Sequence, residues 1–320
     1  MKYKEWLNIW LDCYVKLASK QRTLKRYTQV VKSYLIPQLG ECEMEEIQVL
    51  HLQSFIVNLL NEGNLKNGGG LKESSVNVII TIMQNSLKTA FLSGVVKHYI
   101  GDKIKRPKIE QEEVKCFSIE EQKKIETAVL SDKKNKTIGV ILCLYTGMRI
   151  GELFALTWKD VDFKNSLLSI SKSSHYGKIG SKFEKIIEKH KTKSSIRQIP
   201  LPKPLLEILK NMKKTSKSVY VITDNGKEVS IRSYQRRFKV LLQKLNIPYK
   251  SFHALRHTFA TRAIECGMDV KTLSEILGHK SATITLNRYV HSLISHKKQM
   301  MNKVGGLLKI TSNMVLGVNN

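Results

Sequence analysis

One stretch decides how this chain can be partitioned. Residues 101–115, GDKIKRPKIEQEEVK, are densely charged, include Pro107 and hold almost no apolar side chain, so no hydrophobic core can run through them. A 320-residue chain interrupted in this way is expected to form two domains, each large enough to bury a core without a disulfide or metal staple. The expected division is 1–108 for the first domain, with a linker from about residue 101, and 109–310 for the second. Residues 311–320 are polar enough to form a flexible tail.

Ahead of the break, Trp6, Leu7, Ile9, Trp10, Leu11 and Tyr14 recur at helical spacing. Tyr27, Val30, Val31, Tyr34 and Leu35 repeat the pattern before Pro37 and Gly40, which should stop the second helix. A third helix is expected over about 47–60, before the glycine-rich loop NLKNGGG. A fourth follows over about 74–95, capped by Ser74 or Ser75. Four such helices make a bundle.

Beyond the break, Ser118 with Glu121 forms a capping box for a helix through Leu130. An apolar helix over 137–145 ends at Thr146-Gly147, and another begins near Ile150. Two short β-type runs, LLSI at 167–170 and IRQIP at 196–200, flank a long basic connection and read as the edge of a small antiparallel sheet. Helical periodicity returns at Pro204 and continues to about Leu308, broken at Asn225-Gly226, Pro248, Gly267 and Gly278. The expected fold class is therefore mainly α with a small antiparallel β-sheet: an N-terminal helical bundle followed by a larger α+β domain.

Composition narrows the partners. Lys and Arg number 54 against 27 Asp and Glu, a net charge of +27, which points to a polyanion, either nucleic acid or an anionic membrane surface. Residues 163–217 alone carry 14 basic and 3 acidic side chains. Lys178, Lys182 and Lys185 in that stretch are expected to meet phosphates. No run approaches the roughly 20 apolar residues needed to span a bilayer, and the N-terminus lacks the uninterrupted apolar region of a signal peptide. The five scattered cysteines, with no CxxC pair, fit a reducing cytoplasm.

Four segments carry candidate chemistry. In TGMRIGEL a glycine turn opens a helix and sets Arg149 near its positive end, a good place for phosphate, although by itself the segment is equally an ordinary junction with Arg149 paired to Glu152. In HALRHTFA, His253 and Arg256 are three apart and share a helix face, while His257 sits off that face as a packing or hydrogen-bonding residue. LGHK places His279 just after a helix stop, and Tyr289 lies in LNRYVH. Alone, a lone tyrosine is core or surface and a histidine after glycine is a cap.

Taken in order, Arg149, a basic hairpin, His253-x-x-Arg256, His279 and Tyr289 resemble the tyrosine recombinase, or phage integrase, family. The matching segments are TGMRIGEL, KTKSSIRQIPL, HALRHTFATR and LGHKSATITLNRYVH. The resemblance covers residues 116 to about 300, and the bundle is similar in layout to the family's core-DNA-binding domain. It implies a site-specific integrase of a mobile element that cleaves and rejoins double-stranded DNA through a 3′-phosphotyrosyl intermediate on Tyr289. Arg149 and Arg256 would hold the scissile phosphate, His253 would act as general base and His279 would donate a further hydrogen bond. A hairpin lysine, Lys191 with Lys193 and Lys189 as neighbours on the same stretch, would protonate the leaving 5′-oxygen. No cofactor, metal or ATP is implied, and no carboxylate cluster in the sequence suits Mg²⁺.

The implied partners are DNA and three further protomers, a homotetramer on two DNA sites, with accessory DNA-bending or directionality proteins as an addition. Residues 286–308 would either dock on a neighbouring protomer or pack in cis. Many integrases of mobile elements carry a small arm-site-binding domain before the bundle, whereas here the bundle begins almost at Met1, so the resemblance implies core-site cleavage and leaves arm-site binding open. A type IB topoisomerase and a noncatalytic DNA-binding relic are the alternatives. The small helical first domain and the filled catalytic positions favour recombination.

Overall fold

The computed structural model describes residues 1–109, 114–132, 135–179, 182–190, 193–224 and 226–289, with 298, 301, 302, 304 and 305. The expected tail at 311–320 lies outside these residues, as does most of 286–308. The chain forms two compact units, Met1–Glu112 and Glu113–Asn320. Among the described residues no helix is long and apolar enough to cross a membrane.

The first unit is helical. Tyr3–Ile9, Trp10–Val15 and Lys16–Ala18 run on from one another with a π-helical middle, and Gln21–Val30, Val31–Leu35 and Ile36–Leu39 do the same. Pro37 therefore does not stop the second helix. Ile36 N–H bonds to Val31 O, five residues back, so the register has already widened where the proline ring needs space and where its missing N–H falls. Helices Val49–Glu62 and Glu73–Leu92 complete the bundle, the latter capped by Lys72 with both serines inside its first turn. Tyr3, Trp6, Leu7 and Trp10 share one buried core with Leu52, Phe55, Ile56, Ile80, Met83 and Leu87. The polar tips inside this core are satisfied: Tyr3 Oη meets Ser86 Oγ at 2.7 Å, and Trp6 Nε1 donates to Ser86 O at 3.1 Å.

Much of the expected linker is held by this bundle. Gln53 exchanges two hydrogen bonds with the Lys105 backbone, Asn77 Nδ2 donates to Pro107 O and Gln84 Nε2 donates to Gly101 O. Side-chain amides here supply the partners that a strand or helix would otherwise give this backbone.

In the second unit the capping box forms as expected, with Glu121 N–H on Ser118 Oγ and Ser118 N–H on Glu121 Oε2, and helix Ile119–Leu130 follows. Helix Gly139–Thr146 is apolar on all sides and lies at the centre of the core, packed against helix His253–Glu265. Gly147 ends it at φ 63°; a Cβ there would lie 2.4 Å from Phe259 Cδ1, so both the backbone and the packing demand glycine.

Strands β1 (Val161–Asp162), β2 (Leu167–Ile170) and β5 (Arg197–Pro200) form one antiparallel sheet, with Leu168 opposite Ile199. The basic connection between β2 and β5 is itself a long hairpin, β3 (Lys172–Ile179) paired with β4 (Lys182–Lys189). After helix Lys203–Thr215, helical structure does not run on: residues 219–221 pair with 156–158, with Trp158 N–H on Val219 O and Val221 N–H on Leu156 O. The β-branched run through Val219, Val221 and Ile222 suits that extended pairing. Helices Ile231–Lys244, His253–Glu265, Val270–Leu277 and Ala282–Tyr289 follow.

Candidate active site

The end of helix Val270–Leu277 organises the site. The last carbonyls of any helix lack intrahelical partners and carry its partial negative charge. Here three arginines from three other elements take three successive ones: Arg197 Nε donates to Ile276 O, Arg256 Nη2 to Leu277 O at 2.7 Å, and Arg149 Nη2 to Gly278 O at 3.3 Å. Gly278 turns the chain at φ 64°, and a Cβ on it would meet Arg197 Cδ and Ser194 O at 3.1 Å.

Arg256 is buried. Helix His253–Glu265 also buries Ala254, Leu255, Thr258 and Ala260, so the guanidinium is carried into the core, where Nη1 donates to Gly147 O at 2.7 Å. Its Nη2 also meets His279 Nε2 at 2.9 Å, while His279 Nδ1 lies 2.8 Å from Thr285 Oγ1. A guanidinium only donates, so His279 Nε2 is the acceptor and the ring proton is on Nδ1, facing Thr285. His279 thus faces Arg256 with a lone pair. His253 is exposed, and its ring stands edge-on to buried His257 with centroids 4.6 Å apart.

Arg149 is the N-cap residue of helix Ile150–Ala155. It keeps its pairing with Glu152 and is also part of the arginine cluster. The N–H of Arg149 donates to Glu152 Oε2 at 2.8 Å, and Nη1 donates to Oε1 at 3.0 Å. Glu152 is buried and also receives both terminal nitrogens of Arg197, at 3.1 and 2.8 Å. Burial pushes its carboxyl up, but the hydrogen bonds and charge of Arg197, with the charge of Arg149, outweigh that and hold it at about 2. His190 Nε2 lies 3.7 Å from the same carboxylate.

Glu152 and Arg197 lie inside segments the sequence marks, yet the motifs give them no role. Strand alternation carried the signal for Arg197: it shares a face of β5 with buried Ile199, so its charge had to meet an acid inside.

Lys191 lies outside the described residues, as does the side chain of Lys193, whose backbone is in the short turn Lys193–Ser195. Lys189 ends β4, exposed. Tyr289 closes helix Ala282–Tyr289; its side chain is outside the description. Lys185 departs from expectation. It is 9% exposed, its Nζ sits 3.5 Å above the Tyr220 ring and 3.4 Å from Glu228 Oε1, and burial lowers its pKa against the pull of that glutamate.

A family model described as "Phage integrase family" matches residues 115–296. The chain belongs to the phage integrase family. It is a tyrosine recombinase, an enzyme that cleaves and rejoins DNA. A second family model, "Phage integrase, N-terminal SAM-like domain", matches residues 2–60. A tyrosine recombinase XerC-like protein of Caldanaerobacter subterraneus subsp. tengcongensis is 30% identical, with 94% of this chain and 82% of the relative covered. Two solved structures share the fold of this recombinase. The Tn1549 transposon integrase in complex with a circular intermediate DNA superposes with TM-score 0.79 at 21% identity, over 95% of this chain and 99% of the other. A lambda integrase tetramer bound to a Holliday junction gives 0.65 at 20% identity, over 88% and 79%.

Proposed function

We propose that this recombinase cuts one DNA strand at a time with Tyr289, forming a 3′-phosphotyrosyl bond and a free 5′-hydroxyl, and reseals it with a 5′-hydroxyl from a partner duplex. The observation that carries this reading is the chain of contacts from Arg256 through His279 to Thr285, because Tyr289 stands four residues after Thr285 on the same helix. Position 289 thus stands one helical repeat beyond Thr285, which supports Tyr289 as the nucleophile.

A phenol with pKa about 10 is a poor nucleophile at neutral pH. His253, exposed at the start of its helix, is the group to take the proton, since imidazole titrates near neutrality and can return it in the reverse step. Charge building on the non-bridging oxygens is met by Arg149 and Arg256, whose planar forks suit two oxygens. His279 bonded to Arg256 fixes that fork, and reaches the phosphate itself once its Nε2 carries a proton. Lys191 protonates the leaving 5′-oxygen. The arginines carry the charge and the phosphotyrosyl bond keeps the energy of the phosphodiester, so the proposed cycle needs neither metal nor ATP.

The Tn1549 integrase on circular intermediate DNA and the lambda integrase tetramer on a Holliday junction support a mobile-element integrase that works on double-stranded DNA as a tetramer, with Met1–Glu112 as the core-DNA-binding unit. The scattered cysteines support a cytoplasmic setting. Accessory DNA-bending or directionality proteins would set the direction of exchange. The test is incubation with a nicked duplex carrying the crossover site, resolved on a denaturing gel. A covalent adduct followed by exchanged strands is expected. A mobility shift alone would mean a binding relic, and adduct with relaxation but no exchange would mean a topoisomerase.

A further inference from the structure

We infer that Arg197 is a positioning residue for catalysis: by occupying Glu152, it leaves the charge of the Arg149 guanidinium uncompensated toward the scissile phosphate and its remaining donors free to bind it. The inference rests on the reading that Arg149 holds that phosphate. The two arginines share one carboxylate but differ in what they have left. Arg197 is 6% exposed on its side chain, and it spends Nε on Ile276 O, Nη1 on Glu152 Oε1 and Ser195 O, and Nη2 on Glu152 Oε2. Arg149 is 38% exposed and commits Nη1 to Glu152 and Nη2 to Gly278 O, leaving donors on Nε and on both terminal nitrogens. Only Arg149 of this pair can receive a phosphate.

The carboxylate decides how strongly it does so. An ionised glutamate offers about four lone-pair sites. In Glu152 the backbone and side chain of Arg149 take one on each oxygen, and Arg197 takes one on each. With those sites filled, Glu152 cannot draw Arg149 into a two-pronged pair. Charge follows the same logic. Arg149 with Glu152 alone is neutral as seen by a phosphate, whereas the trio of Arg149, Glu152 and Arg197 keeps one positive charge, and the Glu152–Arg197 pair behind it is buried.

The test compares Arg197→Met, Arg197→Lys and the double variant Arg197→Met, Glu152→Gln. Each is measured for DNA affinity, for single-turnover adduct formation at saturating protein, and for its melting curve. Arg197→Met is expected to cleave at least about tenfold more slowly with affinity changed by less than about twofold, since removing an oxyanion donor costs on the order of 10² to 10³ and here the donor is weakened rather than removed. Arg197→Lys, which keeps the charge, should recover part of that loss. The double variant removes the competing carboxylate and should be faster than Arg197→Met although it lacks two native groups. A merely structural Arg197 cannot give that rescue, so a double variant as slow as the single one overturns the inference. Arg197→Met at the wild-type rate, with Arg149→Lys slow, overturns it too while leaving the phosphate-binding reading intact. If Arg149→Lys also cleaves at the wild-type rate, that reading fails and the inference falls with it.

Discussion

With the two terminal nitrogens of Arg256 bonded to carbonyls on separate turns, Gly147 O and Leu277 O, a lysine at 256 has one nitrogen for acceptors on two sides. One carbonyl is left unpaired in a buried setting, which costs about 1–3 kcal/mol. Arg256→Lys should therefore lower the denaturant midpoint as well as slow adduct formation by on the order of 10² to 10³. Arg149→Lys, at a half-buried position, should slow cleavage with a smaller change in midpoint. Equal midpoint losses in the two variants would contradict the assigned burial. Glu152 adds a pH signature. Its folded value of about 2 lies below the ordinary 4.5, so it stabilises the fold fully above about pH 4.5 and progressively less as pH falls toward 2. Denaturation midpoints over that range should fall less steeply in Glu152→Gln than in the parent, and parallel curves would show that the carboxylate is not held low. At this scale the sequence marked Arg149, His253, Arg256, His279 and Tyr289 because they stand in ordered motifs. It did not mark Thr285, whose partnership with His279 is set by the turn between two helices and has no local pattern.

The hairpin β3–β4 shows where reading by charge reaches its end. Lysines look alike in sequence, yet Lys185 is folded over Tyr220 onto Glu228, and nothing within 163–217 announces partners at 220 and 228. The pairing of LLSI with IRQIP was legible from β-type runs, whereas the hairpin between them has few apolar residues to mark its alternation. A lysine already bonded within the protein releases no counterion when DNA binds. Lys185→Ala should thus leave the slope of log K against log salt unchanged, while Lys178→Ala with Lys182→Ala should flatten it by up to about two charges' worth, at about 0.9 per phosphate neutralised. Hydrogen exchange in β4 should rise in Lys185→Ala, since the side-chain tether to Glu228 and Tyr220 is gone. A flattened slope for Lys185→Ala would place its ammonium on DNA.

Across the whole molecule charge is uneven: residues 1–109 hold 16 basic and 9 acidic side chains, and residues 110–320 hold 38 and 18. Both units have their own core, so each is expected to fold as a separate fragment. Fragments 1–109 and 114–320 should each bind DNA with a smaller salt slope than the full chain, the second having the steeper of the two. The reverse order would mean that the positive charge of the larger unit serves something other than DNA. A charged, proline-bearing stretch cannot join a core, which marks 101–115 in the sequence; how far the bundle holds residues 101–107 was not legible, since Gln53, Asn77 and Gln84 read as ordinary helix-surface polar residues. The central claim is the identity of the nucleophile. Its most direct test is to trap the adduct on a nicked crossover-site duplex, digest the protein and map the nucleotide-bearing peptide by mass spectrometry. The account predicts a 3′-phosphate linked to Tyr289 and no adduct from Tyr289→Phe; a link to any other residue, or adduct from the Phe variant, contradicts it.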